Sequence, residues 1–271
     1  MTNFKRILDF YIDSSIHVAF SCYALVQMTG FMFHISDIQP IAFFAFFGTI
    51  VGYNFVKYDA LARAKKQQMR KELKAISVLS LISSVAVGYY FFQLQTITQI
   101  VAILFLGLIV LYTLPFFPNR KNARNWAGVK IYIVALCWVG VTVVLPILNA
   151  KMDLEIDFIT IAIQRFLLIF VLVLIFEIID LQNDDPHLHT VPQQIGVKRT
   201  KILGFFLLLG LIILEFFTAN FNYSILFLKV AVAIAIILFL FFANEKRSKY
   251  YTSFWVESVP IFWWVLLLVF S

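Results

Sequence analysis

The sequence has little charge, few cysteines and none of the short motifs of soluble enzymes. Only 14% of its 271 residues are charged and 62% are hydrophobic, whereas soluble domains average about 25% charged. Cys22 and Cys137 lie inside apolar runs, which favours small buried hydrophobes over a disulfide or a metal site. Walker loops, dinucleotide fingerprints, zinc-protease motifs and nucleophile elbows are absent from the sequence. These features exclude an ordinary soluble nucleotide-binding or hydrolytic domain.

Nine apolar windows of membrane-spanning length follow one another along the chain. A crossing needs roughly 20 apolar residues, and it must be helical because lipid offers the backbone no hydrogen bonds. The sequence therefore predicts an all-α, polytopic membrane protein, with residues 1–271 forming a single domain of nine transmembrane helices. The predicted spans cover residues of about 15–33, 40–57, 75–94, 98–117, 129–149, 158–179, 202–219, 224–243 and 253–270.

Basic residues predict the orientation of the chain. Nearly all of the 22 Lys and Arg precede the first predicted span or lie in the even-numbered loops. The positive-inside rule then places the N-terminus and those loops in the cytoplasm, in a cell inner (cytoplasmic) membrane. The net charge of +7 needs no nucleic-acid partner, because basic loops beside anionic membrane lipids account for it.

Four carboxylates stand close together after the sixth predicted span. Glu177, Asp180 and Asp184 are spaced i, i+3 and i+7, which places them on one face of a helix, and Asp185 follows directly. Carboxylates this close repel one another unless they are solvated, protonated or bound to a cation. The segment therefore predicts a divalent-metal site.

Two long cytoplasmic loops, about residues 58–74 and 180–201, carry the motif regions, and here the chain resembles a known superfamily. It resembles the UbiA-type intramembrane prenyltransferases over nearly its whole length, in span count and in the position of both loops. The family's second acidic motif, D-x-x-D-x-x-x-D, is matched by the carboxylates above, with Glu177 in place of the first Asp. The family continues with T-L-P-x-x-x-G. Here the connecting segment is one residue short and lacks its usual glycine, and the matching residues are Thr190, Val191, Pro192 and Gly196. A further similar segment closes the fourth span, at Tyr112, Thr113, Leu114 and Pro115.

The resemblance implies a function and its chemistry. Two acidic motifs would face each other across a cytoplasmic cavity and hold Mg²⁺ on the diphosphate of a prenyl donor. The prenyl tail would lie in an apolar tunnel between helices, and membrane lipids would surround the protein. The polyprenyl group would pass to a membrane-associated acceptor as the metal stabilises the leaving diphosphate. The resemblance assigns catalysis to Asp180 and Asp184, and metal binding to these two together with Glu177 and Asp185.

The family's first acidic motif, N-D-x-x-D-x-x-x-D, is degenerate in this sequence. Asn54 keeps the asparagine, and Asp59 stands one residue out of register. The loop has gained Lys57 and Arg63, cations that can neutralise a phosphate without a metal. The three aspartate positions hold Phe55, Tyr58 and Ala62.

Enzymatic activity therefore stays open at this point. The alternatives are a magnesium-dependent prenyltransferase, a modified catalyst acting on a phosphate-bearing lipid, and a non-catalytic relative that binds lipid or a protein partner in a membrane complex. The candidates for substrate contact are Asn54, Lys57, Asp59, Arg63, Tyr112, Arg120, Lys121 and Lys198.

Ionisable residues inside the predicted spans need partners, because charge within a bilayer is costly. Arg165 and Glu215 are expected at similar depths in the outer half, which predicts a structural pair, with a functional polar pocket as the alternative. Lys229 is expected to extend to the outer interface. Glu257, at the cytoplasmic start of the last span, is expected either at the mouth of the cavity or paired with a basic residue such as Lys249.

Overall fold

A computed structural model shows a bundle of α-helices. The structure describes residues 3–64, 71–113, 128–219 and 221–270, and within these ranges every regular element is helical. The all-α prediction is therefore confirmed. The helices are α1 (Asn3–Asp13), α2 (Ile16–Met32), α3 (Gln39–Ala64), α4 (Lys71–Phe91), α5 (Thr96–Thr113), α6 (Lys130–Val139), α7 (Leu145–Asn149), α8 (Ile156–Asp180), α9 (Val191–Leu214), α10 (Tyr223–Phe242) and α11 (Val259–Phe270).

The predicted spans correspond to apolar helices of the structure. Seven helical segments in the described ranges are long and apolar enough to cross a membrane, which supports an integral membrane protein. The predicted first and fourth spans correspond to the shorter apolar helices Ile16–Met32 and Thr96–Leu111. A count of nine crossings and a cytoplasmic N-terminus stay predictions.

Helix α8 is the centre of the bundle. Inside the structure, 61% of its most apolar window is buried, a larger share than in any other candidate span. Its side chains Leu168 and Ile175 share one core cluster with Leu25 of α2, Leu208 of α9 and Ile236 of α10. Because α8 packs on several helices at once, the acidic segment at its C-terminal end has a fixed position.

The amphipathic helix α1 is attached to the bundle by charged contacts. Lys249, in the segment before α11, lies 3.4 Å from a carboxylate oxygen of Asp9 and 3.7 Å from one of Asp13. Tyr250 donates a hydrogen bond to Asp9, and this bond together with the nearby Lys249 lowers the pKa of the Asp9 carboxyl. Lys249 thus pairs with α1 rather than with Glu257.

The charges inside the spans pair differently from the expectation. Glu215 forms its ion pair with Lys229, not with Arg165. Lys229 is 2% exposed, so it does not extend to the interface. A lysine six residues into α10 can turn inwards because the chain between α9 and α10 brings Glu215 beside it, and a paired ammonium is less costly than an unpaired one.

Helices α6 and α7 form one span, Lys130–Asn149, through a π-helical segment at Gly140–Val144. Gly140 is buried against the ring of Phe105 on α5, and a Cβ atom at this position would overlap the ring. We expect Gly140→Ala to destabilise the protein by about 1–3 kcal/mol, because a rigid aromatic neighbour has to move. Thermal unfolding in detergent measures this effect.

Gly107→Ala is the matched control, because a Cβ atom at Gly107 of α5 would have no neighbour within 4 Å. Alanine also has the higher helix propensity. Equal loss of stability in the two variants would contradict the close packing at Gly140.

Candidate functional site

The acidic segment lies where α8 ends and the chain turns towards α9. The backbone N–H of Asp184 donates to the carbonyl oxygen of Asp180 at 2.9 Å, so the turn keeps these two residues close. Glu177 is buried, Asp180 is half-buried and Asp185 is exposed. The predicted carboxylates therefore lie at the same end of the bundle, and their exposure to solvent increases from Glu177 to Asp185.

Two of the four carboxylates satisfy free backbone N–H groups. Glu177 Oε2 accepts a hydrogen bond from the backbone of Val191 at 3.1 Å, at the first residue of α9. Asp185 Oδ1 accepts one from the backbone of His187 at 2.9 Å, at the start of a short 3₁₀ turn. The first N–H groups of a helix have no partner within the helix, so these carboxylates stabilise the turn.

Asp184 faces a cation that the sequence analysis did not assign to the site. Lys130, the first residue of α6, places its ammonium nitrogen 3.7 Å from Asp184 Oδ2. That oxygen is buried and has no hydrogen-bond partner in the described part of the chain. The signal in the sequence was the basic loop that Lys130 ends. Gly128, in a left-handed conformation, donates to the Leu188 carbonyl at 3.0 Å, which holds the start of α6 beside the acidic segment.

Among the described residues, only a few carboxylates could bind a magnesium ion. No three His, Cys, Asp or Glu side chains converge as a metal site within the described ranges. Glu177 and Asp185 are engaged by backbone groups, and Asp180 and Asp184 lie one turn apart at the end of α8. Mg²⁺ is commonly bound by one or two carboxylates, with substrate phosphates and water as its other ligands. The buried Oδ2 of Asp184 faces Lys130 but has no hydrogen-bond partner among the described residues, and such an oxygen suits a metal cation.

Asn54, the residue kept from the first motif, uses both ends of its amide inside the bundle. Its Oδ1 accepts a hydrogen bond from Ser15 at 2.8 Å, and its Nδ2 donates to Ser80 of α4 at 2.9 Å. The side chain is 4% exposed. Asn54 therefore links the start of α2 to α4.

Lys57 and Tyr58 turn towards the junction of α1 and α2. The Lys57 ammonium donates to Ser15 Oγ at 3.1 Å and to the Ile12 carbonyl at 3.5 Å, near the C-terminal end of α1. A cation is favourable at this end of a helix dipole. The Tyr58 hydroxyl donates to the Asp13 carbonyl at 2.8 Å. Two residues of the degenerate motif thus stabilise the N-terminal helix pair.

The other predicted contact residues are only partly described. Lys198 is exposed on α9, two residues after a kink at Gly196, whose φ is +80°. The side chains of Asp59, Arg63 and Tyr112, and the whole of Arg120 and Lys121, lie outside the described residues.

The predicted site residues fall into two groups. Asn54 and Lys57 contact the α1–α2 junction, whereas Asp184 contacts Lys130, and no described contact joins the groups directly. The two groups are connected through their helices by a hydrogen bond that the sequence did not predict. The Trp138 indole of α6 donates to the Tyr53 hydroxyl of α3 at 3.0 Å.

The whole fold is similar to that of a solved enzyme. The similarity is to the structure of digeranylgeranylglyceryl phosphate synthase, with a TM-score of 0.56 and 14% sequence identity. The alignment covers 98% of this chain and 96% of the other. That neighbour is a UbiA-type intramembrane prenyltransferase. This chain has the UbiA-type fold. No family model matches the chain, and no curated protein matches its sequence.

Within the UbiA-type fold, the two halves of the predicted site differ in which of the family's acidic residues they keep. The segment after α8 keeps its carboxylates beside a lysine. On α3, the described side chains Asn54 and Lys57 make their contacts within the bundle. The likeness at 14% identity establishes the fold, and the activity is a separate question.

Proposed function

We propose that this protein is a membrane prenyltransferase, which transfers a polyprenyl group from a prenyl diphosphate to a membrane-associated acceptor. The fold shared with a prenyltransferase over 98% of the chain is the observation that carries the proposal. The acidic segment beside Lys130 adds support, since it provides the charges that a diphosphate and its counterion require. The proposed setting is the inner membrane, with the motif loops in the cytoplasm.

Each described side chain of the acidic segment has its own task in this proposal. Asp180 and Asp184 would hold Mg²⁺, and the metal would supply the positive charge that neutralises a leaving diphosphate. Lys130 neutralises Asp184 in the absence of substrate and turns to a phosphate oxygen when the donor binds. Glu177 and Asp185 fix the turn through the backbone groups they accept.

The proposal is tested by diphosphate release from purified protein. We expect release from a series of prenyl diphosphates with membrane lipid extract as the acceptor source, and a prenylated lipid detectable by mass spectrometry. Release should stop with a chelator and return with added Mg²⁺. Prenyl monophosphates of the same length are the matched control, because they bring the same tail without the diphosphate leaving group.

A second candidate function is a non-catalytic membrane subunit that binds lipid or a protein partner. The contacts of Asn54 and Lys57 within the bundle favour it, because these residues occupy the part of α3 where the family's first motif would act. Folded protein that binds lipid but releases no diphosphate from any donor would refute the enzyme proposal and favour this one.

A further inference from the structure

A buried polar cluster lies in the half of the bundle away from the acidic segment. It consists of Gln164 and Arg165 on α8, Glu215 after α9 and Lys229 on α10, none more than 4% exposed. Arg165 lies 12 residues before Glu177, or about 18 Å along a helix. Polar groups at such depth in a membrane protein are costly unless each has a partner.

Three members of the cluster satisfy one another. Lys229 forms an ion pair with Glu215 and donates to Gln164 Oε1 at 2.8 Å. Gln164 Nε2 donates to Glu215 Oε2 at 3.0 Å and to the Leu211 carbonyl at 3.2 Å. The carboxylate of the cluster is therefore engaged by Lys229 and Gln164.

Arg165 carries a charge without a counterion among the described residues. Its guanidinium donates to the Leu25 carbonyl at 3.1 Å and to Thr29 Oγ1 at 3.4 Å, and both acceptors are uncharged. An arginine side chain has five N–H donors, so most of them stay unused. The cluster holds two cations and one carboxylate, and an uncompensated charge is strongly unfavourable in a buried site.

A small cavity lies beside this unbalanced charge. The space open to the centre of a water-sized sphere is about 10 Å³, enough for one water molecule or one monatomic ion. The residues around it are Met32, Ile161, Gln164, Arg165, Leu168, Lys229 and Trp263.

Trp263 gives a second, independent indication of a ligand. Its side chain is 4% exposed, and the indole N–H has no hydrogen-bond partner in the described part of the chain. Both N–H groups of the Gln164 amide are engaged, and its Oε1 already accepts from Lys229 and has one further lone pair. Among the residues that line the cavity, the N–H donors of Arg165, Lys229 and Trp263 therefore outnumber the acceptors. A water molecule needs acceptors for its own two hydrogens, whereas an anion accepts from every donor.

We propose that this cavity binds a monatomic anion, chloride in the cell, held by Arg165, Lys229 and Trp263. One negative charge balances the cluster, and the ion accepts hydrogen bonds that otherwise have no acceptor. The available space excludes phosphate and carboxylate ligands. Bound there, the anion contacts α8, α10 and α11 and stabilises the bundle independently of any reaction at the acidic segment.

The test compares purified protein in chloride, bromide and gluconate salts at equal ionic strength. We expect the midpoint of thermal unfolding to be roughly 2–6 °C higher in either halide, with saturation as the halide concentration rises. A structure determined in bromide should show anomalous scattering at the cavity. Equal midpoints in the three salts, or a water molecule without anomalous signal, would overturn the proposal.

Two variants assign the effect to the cavity. Arg165→Met should lose the halide dependence, whereas Lys201→Met should keep it, because Lys201 donates to the Phe241 carbonyl at 2.7 Å away from the cluster. If Arg165→Met does not fold, Trp263→Phe keeps the ring without the N–H donor and should weaken bromide binding roughly fivefold. Unchanged halide dependence in Arg165→Met, or unchanged bromide binding in Trp263→Phe, would contradict the assignment.

Discussion

Glu215→Gln is expected to lower the free energy of unfolding by about 3–5 kcal/mol. The substitution removes the charge that Lys229 faces, while the ammonium itself stays buried at 2% exposure. Breaking one side of a buried ion pair has this cost because the remaining charge is left uncompensated. The measurement is denaturant or thermal unfolding in detergent at a fixed chloride concentration.

The double variant Glu215→Gln with Lys229→Met separates charge from packing. With both charges removed, we expect most of the stability to return, because a buried pair is often replaceable by apolar groups of similar volume. Glu155→Gln, an exposed change just before α8, should shift stability by less than about 0.5 kcal/mol. A double variant that is less stable than Glu215→Gln alone would argue against charge imbalance as the cause.

The helices of this protein were predictable from the sequence because the membrane restricts the choices. Apolar windows of the required length must be helices, and each predicted window contains one in the described ranges. The resemblance in Glu177, Asp180, Asp184 and the following turn also predicted the fold, which the likeness to a solved prenyltransferase confirms. The apolar windows and the short acidic motif were therefore sufficient to predict the helices and the fold.

Partner choice was not predictable, because it depends on how helices far apart in sequence rotate against each other. Arg165 and Glu215 were expected to pair from depth alone, but depth does not determine which face of a helix meets which neighbour. Lys130 belongs to the basic residues that predict the orientation of the chain, and their pattern does not show the hydrogen bond from Gly128 to the Leu188 carbonyl that holds the start of α6 beside Asp184. The unpartnered Trp263 donor has no signal in the sequence.

Asp180→Asn is expected to lower the rate of diphosphate release by about 10²–10³-fold with little change in stability. If Asp180 and Asp184 hold Mg²⁺ as proposed, the amide removes a charged ligand, and metal stabilisation of a leaving group is worth several kcal/mol. Folding should be little affected, because asparagine has nearly the same shape as aspartate and the turn is closed by a backbone hydrogen bond that the substitution keeps. Steady-state rates over a Mg²⁺ titration measure the effect, which should include a weaker apparent affinity for the metal.

Asp185→Asn provides the matched control one residue beyond the pair. Its side chain is exposed and accepts from the His187 backbone at 2.9 Å, and the asparagine oxygen can accept the same bond. We therefore expect its rate to stay within a few-fold of the wild type. If both variants lose activity equally, the turn rather than the metal charge is what the reaction needs. If Asp180→Asn keeps full magnesium-dependent activity, the acidic segment is not the metal site, and the cations of the degenerate first motif become the groups to test against the diphosphate.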